Sequence, residues 1–242
     1  KIGEREGFGE LLGEGVRRAA ERIGGIASEY AMHVKGLEFP AHDPRSLAGH
    51  ALGYATGSIG AAHIEAQGAD ILENSMLFAQ PRTSPELGFP VAFERHQEVG
   101  KGRLVAKTQD FGCLLDSLTV CMFLSLIQWV QPSHYLELLN CATGMDMQLD
   151  DFILAGERIF NLKRMFNVRR GISRKDDILP PRILTQRLTT GGTKGYIPHL
   201  GLMLNEYYSV RGWSEEGIPT RGRLARLGLE DVADQFYLTA QR

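Results

Sequence analysis

The chain has 242 residues, 43% of them hydrophobic, with 29 acidic against 27 basic side chains and a formal net charge of −2. That is room for one large or two small domains with a sizeable core, and it shows none of the basic excess that nucleic-acid binding needs. Three cysteines without a Cys-x-x-Cys pair, and histidines without a His-x-x-x-His pair, argue against a disulfide framework or a self-contained metal site and fit a reducing, cytoplasmic setting.

Lys1 opens the chain inside an amphipathic pattern, which reads as a piece of a longer protein. Residues 9 to 22 predict a helix whose apolar stripe is Leu11, Leu12, Val16, Ala19 and Ala20, ended by Gly24-Gly25. A short helix is expected from Ser28, and Ala31 to Phe39 reads as a short strand or an irregular buried segment. Pro40 and Pro44 make the run to Arg45 a loop. Ser46 is placed as the cap of the next helix, which runs through Ala51 and Tyr54. The small residues Gly57, Ser58, Gly60, Ala61 and Ala62 then let the backbone pass close to something bulky, either another helix or a ligand. The proline-rich span 77 to 100 predicts loop with short helical turns.

Leu104, Thr108, Phe111 and Leu115 recur at helical spacing. Leu118 to Val130 is apolar on nearly every face, a buried helix too short to cross a bilayer. Asp116 and Ser117 fall between the two, with Asp116 expected as the N-cap of the second helix. Cys121 is then expected in or just past the first turn, where unpaired amides favour a thiolate able to ligate iron or zinc. Further helices are predicted over 132–141, 149–167, 200–210, 220–227 and 230–240. The stripe of the second is Phe152, Ile153, Ile159, Phe160, Leu162 and Phe166. Arg174 to Arg182 reads as extended, and the glycine-rich loop 189–195 lacks Walker spacing. Strand signals are sparse, so the fold class is mainly α.

Nine segments carry a resemblance. They are His33-Val-Lys-Gly-Leu-Glu38, His42-Asp-Pro-Arg45, Leu52-Gly-Tyr-Ala-Thr-Gly57 leading to Gly60-Ala-Ala-His63, Asp116-Ser-Leu-Thr-Val-Cys121, Ala142-Thr-Gly144, Gly156-Glu-Arg-Ile159, Asn161-Leu-Lys-Arg164 with Phe166-Asn167, Asp177-Ile-Leu-Pro180, and Tyr207-Tyr208 with Arg211-Gly-Trp213. In this order they resemble the aldehyde:ferredoxin oxidoreductase family over almost the whole chain. The resemblance implies the multihelical C-terminal part of such a protein. Residues 1–32 would be the remainder of a middle helical domain and 33–242 the C-terminal helical domain.

The implied function is oxidation of small aldehydes to carboxylic acids by a tungsten or molybdenum bis-pterin. A 4Fe–4S cluster would pass electrons to ferredoxin or another electron-transfer protein. Magnesium and a homo-oligomer are open within the same resemblance, and the upstream part of the protein is a required partner; neither nucleic acid nor a membrane is implied. Asp116 matches the pterin-binding aspartate, Cys121 the fourth cluster thiolate, and Val120 and Met122 flank it, touching the cofactor through backbone. His63 matches the histidine beside the metal. The other three cluster cysteines and the first pterin motif do not occur in this chain. Thr119 stands where the motif prefers Gly, Ala62 where a Cys is frequent, Ile59 where Arg is frequent and Glu65 where a basic residue is frequent. Lys35, Arg45, Arg158 and Arg182 are offered either to cofactor phosphates or to ordinary ion pairs, the second being the commoner use of a lone cation. Phe123, Trp129 and Trp213 are expected in the core. A related tungsten benzoyl-CoA reductase subunit and a non-catalytic helical module are the alternatives.

Overall fold

One helix organises the packing, α5 (Lys101–Ser117), which is buried along most of its length. The computed structural model describes residues 1–73, 82–128 and 130–239. Around α5 lie α3 (Ala48–Thr56), α4 (Gln67–Leu72), α8 (Leu149–Arg169), α10 (Leu200–Arg211) and a 3₁₀ turn, His63–Ala66. Leu104, Val105, Phe111, Leu114 and Leu115 of α5 join Leu52, Tyr54, Phe152, Phe160, Met203, Leu204 and Tyr207 in one core. The 3₁₀ turn reaches α5 because residue 112 is Gly; a Cβ there would stand 2.7 Å from the Glu65 carbonyl oxygen.

Three buried charge networks fix which helix face meets which. Asp110 of α5 pairs with Arg211 of α10, and the guanidinium lies 4.2 Å from the centre of the Phe160 ring. Beside it Tyr207 donates to Gln109 Oε1 at 2.6 Å, and Gln109 Nε2 donates to Thr56 at 3.1 Å. Asp177 accepts from both guanidinium nitrogens of Arg164 (3.0 and 2.8 Å) and from Tyr208 (2.6 Å), with Lys35 at 2.9 Å. Glu73 faces Lys101 at 2.5 Å, both fully buried.

The mainly α class expected from the sequence is borne out. The remaining helices are α1 (Phe8–Leu12), α2 (Gly15–Ile23), α6 (Phe123–Gln128), α7 (Pro132–Thr143), α9 (Pro181–Thr185), α11 (Arg221–Arg226) and α12 (Glu230–Thr239). The helix expected over 9–22 is two helices, and only Ala20 of its stripe is fully buried. The segment from Ser28 belongs to a 3₁₀ turn, Gly25–Tyr30. Ala31 to Phe39 contains a minimal hairpin, β1 (His33–Val34) and β2 (Leu37–Glu38), with His33 opposite Glu38. Its two-residue turn places Lys35 (φ 52°) and Gly36 (φ 91°) in the left-handed region, as a tight hairpin requires.

Ser46 does not cap α3; Leu47 holds the N-cap position, and the Gly49 N–H donates instead to Glu73 Oε1 at 2.7 Å. The buried carboxylate thus serves the helix start that a side-chain cap would have served. In α8 the stripe is rotated from the expected one. Phe152, Phe160, Met165 and Val168 are buried, whereas Leu162 and Phe166 are exposed, because Asn161 and Arg164 take the inward face to bond Trp213 and Asp177. Arg174 to Arg182 is not wholly extended but includes a 3₁₀ turn, Arg174–Asp176, and the start of α9. Among the described residues no helix is long and apolar enough to cross a membrane.

Candidate functional site

At its C-terminal end α5 stops in a Schellman turn. The Val120 N–H donates to the Leu115 carbonyl at 3.1 Å, and the Thr119 N–H donates to the Asp116 carbonyl at 3.1 Å. The residue between last turn and exit must be left-handed, and Thr119 takes it with φ 56°. That is why Gly suits this place in the motif: a β-branched residue there is strained. The position of Asp116 follows. It is not the N-cap of a second helix but sits in the last turn of α5, exposed. A carboxylate at a helix C-terminus faces unpaired carbonyls and opposes the helix dipole. Nothing about helix stability explains an acid here.

Cys121 lies just before α6, not within its first turn; its carbonyl accepts the Leu124 N–H at 3.0 Å. Its thiol is exposed, as is that of Cys141. Cys113 is the contrasting case, buried in α5 with its thiol pushed up to about 12 by burial, an inert small hydrophobe. Val120 and Met122 are half-buried against the core. Phe123 and Leu124, expected inside, are exposed at 56% and 44%. The expectation for Trp129 falls outside the described residues. Trp213 is in the core as expected, its Nε1 donating to Asn161 at 2.8 Å.

The other half of the site begins at His63, half-buried at the start of the 3₁₀ turn. Ile64 and Met122 line one narrow apolar cleft with Ile71, Phe111 and Leu115. The segment after His63 and the residue after Cys121 therefore meet on the same side of α5. His63 stands in a group of rings: His42 at 4.8 Å between centres, His50 stacked at 5.6 Å, and Tyr54 at 6.1 Å. His50 Nδ1 bonds Asp70 at 3.0 Å, while its buried Nε2 has no partner. Burial first, then the charges of His50 and His42, hold the His63 imidazole below its usual range, with Asp70 opposing. Sequence reasoning missed His50, Tyr54 and Asp70. The only signal was His50 and Tyr54 one helical turn apart in α3.

The run of small residues is spent on packing within the chain. Gly60 (φ 111°) is pressed against the Val34 carbonyl, and Ala61 and Ala62 are buried. Glu65, which stands where a cation is frequent, points inward. It accepts from the Ser58 N–H at 2.5 Å and from the Ser58 hydroxyl, and it pairs with Lys163 at 2.5 Å. It clamps the 57–60 loop to α8. Ile59 is 60% exposed at the tip of that loop. The four cations resolve toward internal duties: Lys35 on Asp177, Arg45 on Asp43 and the Gln186 carbonyl, Arg158 on the Leu227 carbonyl, Arg182 over the Tyr30 ring.

A family model described as aldehyde ferredoxin oxidoreductase, domains 2 and 3, matches residues 1–229. The chain belongs to this family. The tungsten-containing aldehyde ferredoxin oxidoreductases of Pyrococcus abyssi and Pyrococcus furiosus are each 39% identical to it over 234 residues, 96% of this chain and 36% of theirs. An aliphatic sulfonate oxidoreductase, WOR-like subunit, of Pyrococcus furiosus is 30% identical over 246 residues, covering 96% of this chain and 34% of that one. A solved structure, the active-site complex BamBC of benzoyl coenzyme A reductase with 1,5-dienoyl-CoA, shares the fold. Its TM-score is 0.69 at 24% identity, covering 100% of this chain and 39% of that one. The chain thus spans about a third of the length of the curated relatives it matches.

The residues present fit one edge of the group such a family carries. An exposed carboxylate and an exposed thiol bracket a fixed turn, the first able to accept paired N–H donors and the second able to ligate iron as a thiolate. No cluster of three or more His, Cys, Asp or Glu side chains fit to hold a metal ion occurs among the described residues.

Proposed function

We propose that this chain forms one wall of the active site of a tungsten- or molybdenum–pterin oxidoreductase that converts aldehydes to carboxylic acids and passes electrons through a 4Fe–4S cluster to ferredoxin. The observation that carries the reading is Asp116, exposed in a helix-terminal turn where the backbone disfavours it, with Cys121 exposed five residues on. Asp116 would accept the N–H donors of the pterin's aminopyrimidine edge, since a carboxylate offers only acceptors. Cys121 would supply the fourth thiolate of the cluster, and the backbone at Val120 and Met122 would lie against the pterin. When bound, the metal–pterin group supplies the two-electron chemistry.

The balance is aldehyde plus water giving carboxylic acid, two protons and two electrons. His63 is the group of this chain suited to the proton side. Held neutral by burial and by its imidazole neighbours, it has a lone pair free to take one of the two protons released near neutral pH.

The experiment uses the full-length protein. Metal analysis together with oxidation of simple aldehydes coupled to a viologen dye supports the reading. Reduction of an aromatic acyl-CoA without aldehyde oxidation would move it to the benzoyl-CoA reductase branch. Absence of tungsten, molybdenum and iron would leave a non-catalytic helical module. His63→Asn is expected to lower kcat by roughly 10²- to 10⁴-fold with metal content unchanged.

A further inference from the structure

We propose that His42, His50 and Asp70 are positioning residues that together set the protonation of His63. This deepens the reading of His63 as a proton acceptor and rests on it for its catalytic meaning. Three elements bring the rings together: the loop before α3 carries His42, α3 carries His50 and Tyr54, and the 3₁₀ turn carries His63. The centres of the three imidazoles lie 4.8, 5.6 and 5.9 Å apart.

At that separation a positive charge on either neighbouring ring would repel one on His63, which disfavours its protonation. Asp70 acts against the two rings. Its carboxylate bonds His50 Nδ1 at 3.0 Å, which fixes the proton on that nitrogen. The lone pair is left on Nε2, which is buried and unpartnered beside the other two rings. The negative charge of Asp70 favours a proton on His63, against the burial and the neighbouring rings that disfavour it.

The remaining neighbours do not compete. Tyr54 lies 4.5 Å from His50, ring centre to ring centre, and its hydroxyl, raised far above neutral chiefly by burial, stays protonated. Asp43 is engaged by the Arg45 guanidinium at 2.9 and 2.7 Å. Glu65, two residues on from His63, is tied to Lys163 and Ser58.

The test reads each ring separately in the full-length protein, by mass spectrometry of C2-hydrogen exchange into D₂O on the His63 peptide across pH. The pH profile of kcat is measured beside it. Removing a neighbouring imidazole, by His42→Gln or His50→Gln, is expected to raise the His63 midpoint by roughly half a pH unit or more. Asp70→Asn is expected to lower it by a similar amount. His42 is exposed, so His42→Gln keeps the test open should His50→Gln fold poorly. A His63 midpoint that stays in place in His42→Gln and Asp70→Asn overturns the proposal. If the midpoint moves while the kcat profile does not, the coupling stands and it is the catalytic reading of His63 that fails. A purely structural role would lower the melting temperature without moving the midpoint in opposite directions.

Discussion

The two ends of α5 and its surroundings treat charge in opposite ways. Along the buried length, acids have a cation and usually a hydroxyl or amide as well: Asp110 with Arg211, Glu73 with Lys101 and the Gly49 N–H, and across the core Asp177 with Arg164, Lys35 and Tyr208. At the C-terminal turn, Asp116 and Cys121 stand exposed, and a β-branched residue holds a conformation better suited to glycine. In the first region charge is spent on fixing helix register. In the second, a carboxylate and a thiol stand exposed on either side of a strained turn.

That contrast is broken most sharply by Arg211→Met. It leaves the Asp110 carboxylate buried and unpaired, so unfolding free energy is expected to fall by about 3–5 kcal/mol, read from the urea midpoint. The turn is expected to behave in the reverse way: Cys121→Ser or Asp116→Asn should leave the unfolding free energy within about 1 kcal/mol. In the full-length protein, however, the first should lower iron content and the second pterin content. A large stability loss from either turn variant would erase the distinction.

A finer test lies in pH. Burial pushes Glu73 up to about 7 from 4.5, against partial relief from Lys101 and the Gly49 N–H. The folded chain keeps that proton where the unfolded chain has released it. This contribution to stability is therefore full below pH 4.5 and falls as pH rises through 7, by on the order of 3 kcal/mol. Glu73→Gln should flatten that slope between pH 4.5 and 7 in urea titrations. A small gain is expected of Thr119→Gly, which should raise stability by about 1 kcal/mol by relieving the left-handed threonine. No gain would mean that the Thr119 hydroxyl, donating to the Leu118 carbonyl at 2.7 Å, offsets the strain.

Much of the helical layout is legible in the order of residues alone. α7, α8, α10, α11 and α12 fall within a few residues of their predicted bounds, because long apolar periodicity reports helix directly. Where polar groups turn inward the pattern misleads. Asn161 and Arg164 on the inner face of α8 displace Leu162 and Phe166 outward, and no periodicity of apolar residues signals a buried guanidinium. Ser46 is a reasonable cap by residue type, yet the helix start finds its acceptor in Glu73, a residue 24 positions away from Gly49. The motif singles out Cys121 and Asp116 but misassigns their geometry, since a helix exit with Thr at the left-handed position looks in sequence like a helix entry.

What the sequence settles by itself is local or motif-borne: the mainly α class, most helix bounds, and the resemblance that family membership bears out. Those depend on neighbours a few residues apart or on residue types in order. The tertiary structure decides which charges are consumed internally, such as Glu65 on Lys163, and which rings gather around His63. It does so because burial and pairing depend on residues about 100 positions apart, as in Glu65 and Lys163, meeting in space.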